Sequence, residues 1–147
     1  MPQLPEQAAR QGSVQHLNPA GLHNMPEYYT NVVVASGLVK TIYLSGLGAI
    51  DESGNIVGEG DIKAQAKFTL NAIGLALAGA GAGPEHIIKM TYYLAQGQTM
   101  AAILDPLARF WGGRPNPPAG TVMYVAGFEP PEFLIVIDAL AVVPLAS

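Results

Sequence analysis

Residues 133–143 read FLIVIDALAVV, eleven positions with a single ionisable side chain, Asp138. A strand with one face in water alternates apolar and polar residues, and this run does not. VVVA at 32–35 and TVMYVA at 121–126 also fail to alternate cleanly. The chain is therefore predicted to build a sheet buried on both faces. Helices supply one cover. Something must cover the other face, and the simplest candidate is a second copy of the chain, so the pattern predicts a homo-oligomer.

The remaining elements follow from periodicity and punctuation. NVVVASGLVKTIYLSG, residues 31–46, has two β-branched runs around Ser36-Gly37-Leu38 and reads as a hairpin. A third short strand is predicted over Leu47–Ile50, before the turn-rich DESGNIVGEGD. Asp61 opens a helix in which Ile62, Ala66, Leu70, Ile73 and Leu77 recur every three to four residues, until GAGAGP stops it. HIIKMTYYLA, residues 86–95, reads as a strand.

In QTMAAILDPLARFW, Pro106 inside a continuous helix would cost about 3 kcal/mol. A kinked or two-part helix is predicted, with Met100, Ile103, Leu107 and Phe110 inward and Asp105 capping a piece that begins at Pro106. Pro117 and Pro118 fix an extended approach to a strand over 119–127. The order β-β-β-α-β-α-β-β predicts an α+β two-layer sandwich with both helices on one face. Residues 28–147 form this single domain, behind an irregular arm over 1–27 rich in Pro, Gln, Asn and Gly.

Composition excludes several classes of function. Charged residues make up 12% of the 147, about half the usual share. The net charge is −4, and the seven basic residues (Arg10, Lys40, Lys63, Lys67, Lys89, Arg109, Arg114) are scattered. They form no phosphate-binding stripe, which argues against nucleic acid as a partner. The absence of cysteine removes disulfides and thiolate metal sites. His16, His23 and His86 lack ligand-like spacing, so no metal is expected. SGLGAID lacks the third glycine of a dinucleotide loop, and GAGAGP lacks the Lys-Ser/Thr of a phosphate loop. No run reaches the roughly 18 apolar residues that span a bilayer. The start, MPQLPEQAARQG, has no signal-peptide core. A soluble cytoplasmic protein is expected.

Few residues are placed to do chemistry. Asp138 in an apolar strand needs a cleft, a basic partner or backbone donors, because an unpaired buried carboxylate costs several kcal/mol. It is either a carboxylate at an exposed edge or subunit boundary, or a functional acid. Arg114 in GGRPNPP is either a solvated loop residue or an anion ligand turned inward. Ser45 ends a strand, as a turn residue or a hydroxyl facing a ligand. Tyr28 and Tyr29 are expected to pack their rings with hydroxyls at a rim. Gly120 stands where a strand begins, a position from which side chains often reach a cleft.

These stretches together resemble a known family. YLSG, a glycine-containing turn, D-I-x-x-Q, L-N-A-I, A-G-A-x-x-x-x-I-x-K, PPAGTVMYVAG and IVIDALAV resemble the YjgF/RidA (Rid, formerly "endoribonuclease L-PSP") family over about Val32 to Val143. The resemblance implies a chorismate mutase-like fold and a homotrimer whose small-molecule clefts lie between neighbouring subunits. It implies hydrolysis of reactive enamines and imines to keto acids and ammonia, without cofactor. In the deaminating branch the strand begins Pro-Ala-Arg, and that arginine grips the substrate carboxylate. Here the same place reads Pro118-Ala119-Gly120.

The family's water-positioning glutamate falls on Asp138, its serine on Ser45 and its tyrosine near Tyr28 or Tyr29. Its asparagine and tyrosine on the second helix fall on Leu104 and Leu107. The resemblance thus implies a hydrolase or deaminase acting on an imine, with the carboxylate clamp missing. The alternative is a non-catalytic protein that holds a small molecule in the cleft between subunits. The family's old nuclease label finds no metal ligands, general base or basic surface here.

Overall fold

A computed structural model describes residues 11–146 of the chain. Its strands are β1 (Ser13–Leu17), β2 (Val32–Ser36), β3 (Val39–Tyr43), β4 (Ile87–Ala95), β5 (Ala119–Val125) and β6 (Ile135–Pro144). Two α-helices, α1 (Ile62–Gly79) and α2 (Leu104–Trp111), complete it. Four strands form a mixed sheet in the order β3-β6-β4-β5. β6 is antiparallel to both β3 and β4, and β4 is parallel to β5.

The apolar run that ends in β6 accordingly lies inside the sheet. Ile135, Ile137, Ala139 and Ala141 point to the helices and are buried. They pair with Leu94, Tyr92 and Met90 of β4 and with Ile42 of β3, so each row of the sheet adds to one core. Ile62, Ala66, Leu70, Ile73 and Leu77 of α1 close that core, as their spacing predicts. Asp61 caps the helix by accepting from the Ala64 N–H at 3.2 Å. At the other end Gly81, at φ +74°, turns the chain out of α1.

Among the described residues no helix covers the second face of the sheet, although Val142 on it is buried. Tyr43 is 81% exposed there, and Met123 shares the face through its register with Tyr93. The two-layer arrangement matches the expectation, with both helices against one side of a mixed sheet.

The sequence differs from the structure in four places. β2 pairs with β1 and not with β3, so the predicted hairpin is a turn between two sheets. The N-terminal chain passes directly behind that turn: Gly12 and Leu38 bond to either side of Leu145, and a Cβ on Gly37 would fall 2.1 Å from the Gln11 carbonyl oxygen. Residues 13–17, within the stretch expected to be irregular, are that partner strand. SVQHL is polar and short, and only its pairing to VVVAS orders it. The third strand over Leu47–Ile50 reduces to single bridges, Leu47 to Ile137 and Ile50 to Ile56, and Gly48 between them packs closely on the Phe133 ring.

The fourth difference concerns α2. The segment is in two parts, a 3-10 turn at Met100–Ile103 and then α2, but Ile103 is the N-cap, not Asp105. Pro106 is the third residue of α2. First-turn N–H groups have no helical partner, so the proline costs nothing there. Among the described residues no helix is long and apolar enough to cross a membrane.

Candidate functional site

The loop after β1 folds onto the start of β5. Its residues 25–29 make a turn, with the Tyr28 and Tyr29 N–H groups donating to the Met25 carbonyl. Tyr29 donates from its hydroxyl to the His23 carbonyl at 3.2 Å, and Asn31 donates to the same oxygen at 2.9 Å. Thr30 then pins the loop: its hydroxyl donates to the Pro117 carbonyl, and its N–H to the Pro118 carbonyl at 3.2 Å.

Between this loop, α2 and the β4–β5 edge lies a hollow of about 450 Å³. Met25, Tyr28, Tyr29, Leu104, Gly120 and Val122 are among its walls, and Tyr92 is shared with an adjoining recess of about 180 Å³ under Trp111. Four residues that the sequence pointed to, Tyr28, Tyr29, Leu104 and Gly120, therefore come together. Gly120 leaves room: a Cβ there would meet nothing closer than the Met90 carbonyl oxygen at 3.8 Å and the Tyr92 ring at 3.9 Å. The walls are apolar apart from the tyrosine hydroxyls and Glu27 in the smaller recess. Among the described residues no lysine, arginine or histidine lines either hollow.

The other three lie elsewhere. Arg114 turns back on α2, its guanidinium donating to the carbonyls of Trp111 at 2.6 Å and Phe110 at 3.1 Å. It neutralises the negative end of the helix. Asp138 projects from the uncovered face of the sheet, opposite to Gly120. Across the sheet Asp138 pairs with Thr91 and Thr91 with Thr121, the neighbour of Gly120, so the two sites are close along the backbone but on opposed faces. The Tyr93 hydroxyl donates to the Asp138 carboxylate at 3.1 Å. That bond and the carboxylate's charge hold the Tyr93 phenol above its usual range. Ser45 is exposed beyond β3, at the sheet edge remote from β5.

Tyr92 is the most deeply buried of the residues of the hollow that the sequence does not mark, beside Met25 and Val122. It is 7% exposed, and its hydroxyl reaches only the Met90 sulfur, at 3.4 Å. Burial pushes its ionisation well up. The signal was the Tyr92-Tyr93 pair itself, since neighbours in a strand face opposite sides.

The family model for Endoribonuclease L-PSP matches residues 23–143, which takes in the residues that line the hollow and all of the four-stranded sheet but Pro144. The chain belongs to this YjgF/RidA family. A RutC family protein of Synechocystis sp. is 32% identical over 117 residues, 79% of this chain and 86% of that one. A Yersinia pestis protein of unknown function of the conserved Rid protein family is similar in structure, with a TM-score of 0.77. It is 27% identical and is matched over 98% of its length by 88% of this chain. A Pseudomonas aeruginosa protein of unknown function aligns with a TM-score of 0.60 at 26% identity, over 88% of this chain and 92% of its own. Rid membership agrees with the two helices on one side of a mixed sheet.

Proposed function

We propose that the hollow beside Gly120 is the ligand site of this Rid chain, and that it takes a compact, largely apolar molecule without a carboxylate. One observation carries the reading: the site that resembles an arginine clamp holds a glycine, and among the described residues no cation lines the space beside it. A carboxylate there would lose its water without gaining a partner, at a cost of several kcal/mol. A neutral ligand of the same shape avoids that cost and still buries apolar surface at roughly 25 cal/mol per Å².

Equilibrium titration with benzamide and benzoate tests this, since the two share a shape and differ in charge. Benzamide is expected to bind at least tenfold tighter. Equal or tighter binding of benzoate would overturn the reading.

A second reading is hydrolysis of a carboxylate-free imine, without cofactor, to a carbonyl compound and an amine. The Tyr93–Asp138 pair favours it, because the carboxylate on the uncovered face is held in place and free to orient water. Asp138 and Gly120 face opposite ways in one chain, so this chemistry requires a neighbouring copy to bring an acid to a hollow. The reading therefore includes a homotrimer, supported by the uncovered sheet face around Tyr43. Light scattering should then give three times 15.4 kDa. Imines released by an amine oxidase should be hydrolysed faster than those from an amino-acid oxidase. Turnover of the amino-acid set alone would contradict both readings.

A further inference from the structure

Among the described residues that line the hollow, Tyr92 carries a buried polar group without a strong partner. Tyr92 lines both the hollow and the adjoining recess together with Leu104, Leu107 and Pro118, and its hydroxyl donates to the Met90 thioether at 3.4 Å. Sulfur is a weak acceptor, whereas a buried phenol ordinarily finds an oxygen or nitrogen. Phenylalanine would fill the same volume without leaving a hydroxyl under-used. Both Met90 and Tyr92 line the recess, and Tyr92 lines the larger hollow too.

We propose that Tyr92 is the polar anchor of this site, donating its O–H to a neutral carbonyl oxygen on the ligand, with the ligand's apolar body in the hollow beside Gly120. The assignment rests on the hollow being the ligand site and adds the chemical class of what occupies it. The Met90 sulfur holds the hydroxyl while the site is empty, and the carbonyl oxygen replaces it on binding. The net gain is modest, because one hydrogen bond is exchanged for a better one. In an apolar site that is enough to separate a ketone from a hydrocarbon of equal size. Burial keeps the phenol protonated well past its usual range, so the donor persists in alkaline solution.

The probes are acetophenone and ethylbenzene, which differ by a carbonyl in place of a methylene. Each is titrated by heteronuclear NMR into the intact protein, following the backbone amides of Leu104, Gly120 and Val122. Wild type is expected to prefer acetophenone by about three- to tenfold, the range of one net hydrogen bond. Tyr92→Phe should remove that preference by weakening acetophenone alone, with ethylbenzene unchanged. Met90→Leu, which removes the competing sulfur, should enlarge the preference.

Equal binding of the two probes by wild type, or an undiminished preference in Tyr92→Phe, would overturn the role of Tyr92 and leave the hollow as a ligand site. Failure of both probes to shift those amides would overturn the hollow itself, and the anchor with it.

Discussion

Tyr92 and Tyr93 are adjacent in β4 and serve opposite faces of the sheet: the first hydroxyl lies against the Met90 sulfur, the second donates to Asp138 at 3.1 Å. This division organises the molecule. One face carries the helices and an apolar hollow. The other carries an acid on a surface that no helix among the described residues covers.

The Tyr93–Asp138 bond should be visible in a spectrophotometric titration. Its partner raises the Tyr93 phenol above the ordinary value of 10.0. In Asp138→Ala the Tyr93 transition should move down towards that value. A group whose folded value is raised lends stability that is full below its unfolded value and is lost as pH rises through the folded one. The wild-type advantage over Asp138→Ala from this pair should therefore fade above pH 10. An unshifted tyrosine transition in the variant would show that the bond does not form.

Arg114 is predicted to act on α2 and not on ligand. Arg114→Ala removes a guanidinium that holds the Phe110 and Trp111 carbonyls, at a cost of about 0.5–1 kcal/mol in denaturant unfolding. The benzamide-to-benzoate affinity ratio should stay as in wild type. A large fall in benzoate binding would instead place Arg114 in the site.

Gln65 is the buried brace between α1 and the approach to β6. Its amide donates to the carbonyls of Gly58 at 3.2 Å and Glu132 at 3.0 Å, and accepts from the Leu134 N–H at 2.8 Å. Gln65→Leu keeps the shape but strands three backbone groups, so a loss of about 1–3 kcal/mol is expected in chemical unfolding. A change within a few tenths of a kcal/mol would contradict that role.

The legible parts of the fold are those whose pattern belongs to a single segment. The α1 stripe and the apolar FLIVIDALAVV each declare their burial by themselves. β1 does not, because SVQHL gains its structure from VVVAS nineteen residues on, as Ser13 lies opposite Ser36 and Leu17 opposite Val32. The site divides the same way. Gly120, Leu104 and the two tyrosines were marked by a motif, and they meet. Tyr92 and Val122 look like ordinary strand residues in sequence and Met25 like part of an irregular arm, and only tertiary packing turns them into walls. That Asp138 faces away from Gly120 depends on β4 lying between their strands, a pairing no local pattern contains.

The most direct test is the benzamide-to-benzoate affinity ratio in wild type beside Gly120→Arg. A Cβ fits at Gly120 in ordinary contact, so the variant should fold and place a guanidinium at the hollow. Wild type should favour benzamide at least tenfold, and Gly120→Arg should reverse the order by giving the carboxylate a bidentate partner. If wild type favours benzoate, or if a folded Gly120→Arg leaves the ratio unchanged, the ligand site is not where this account places it.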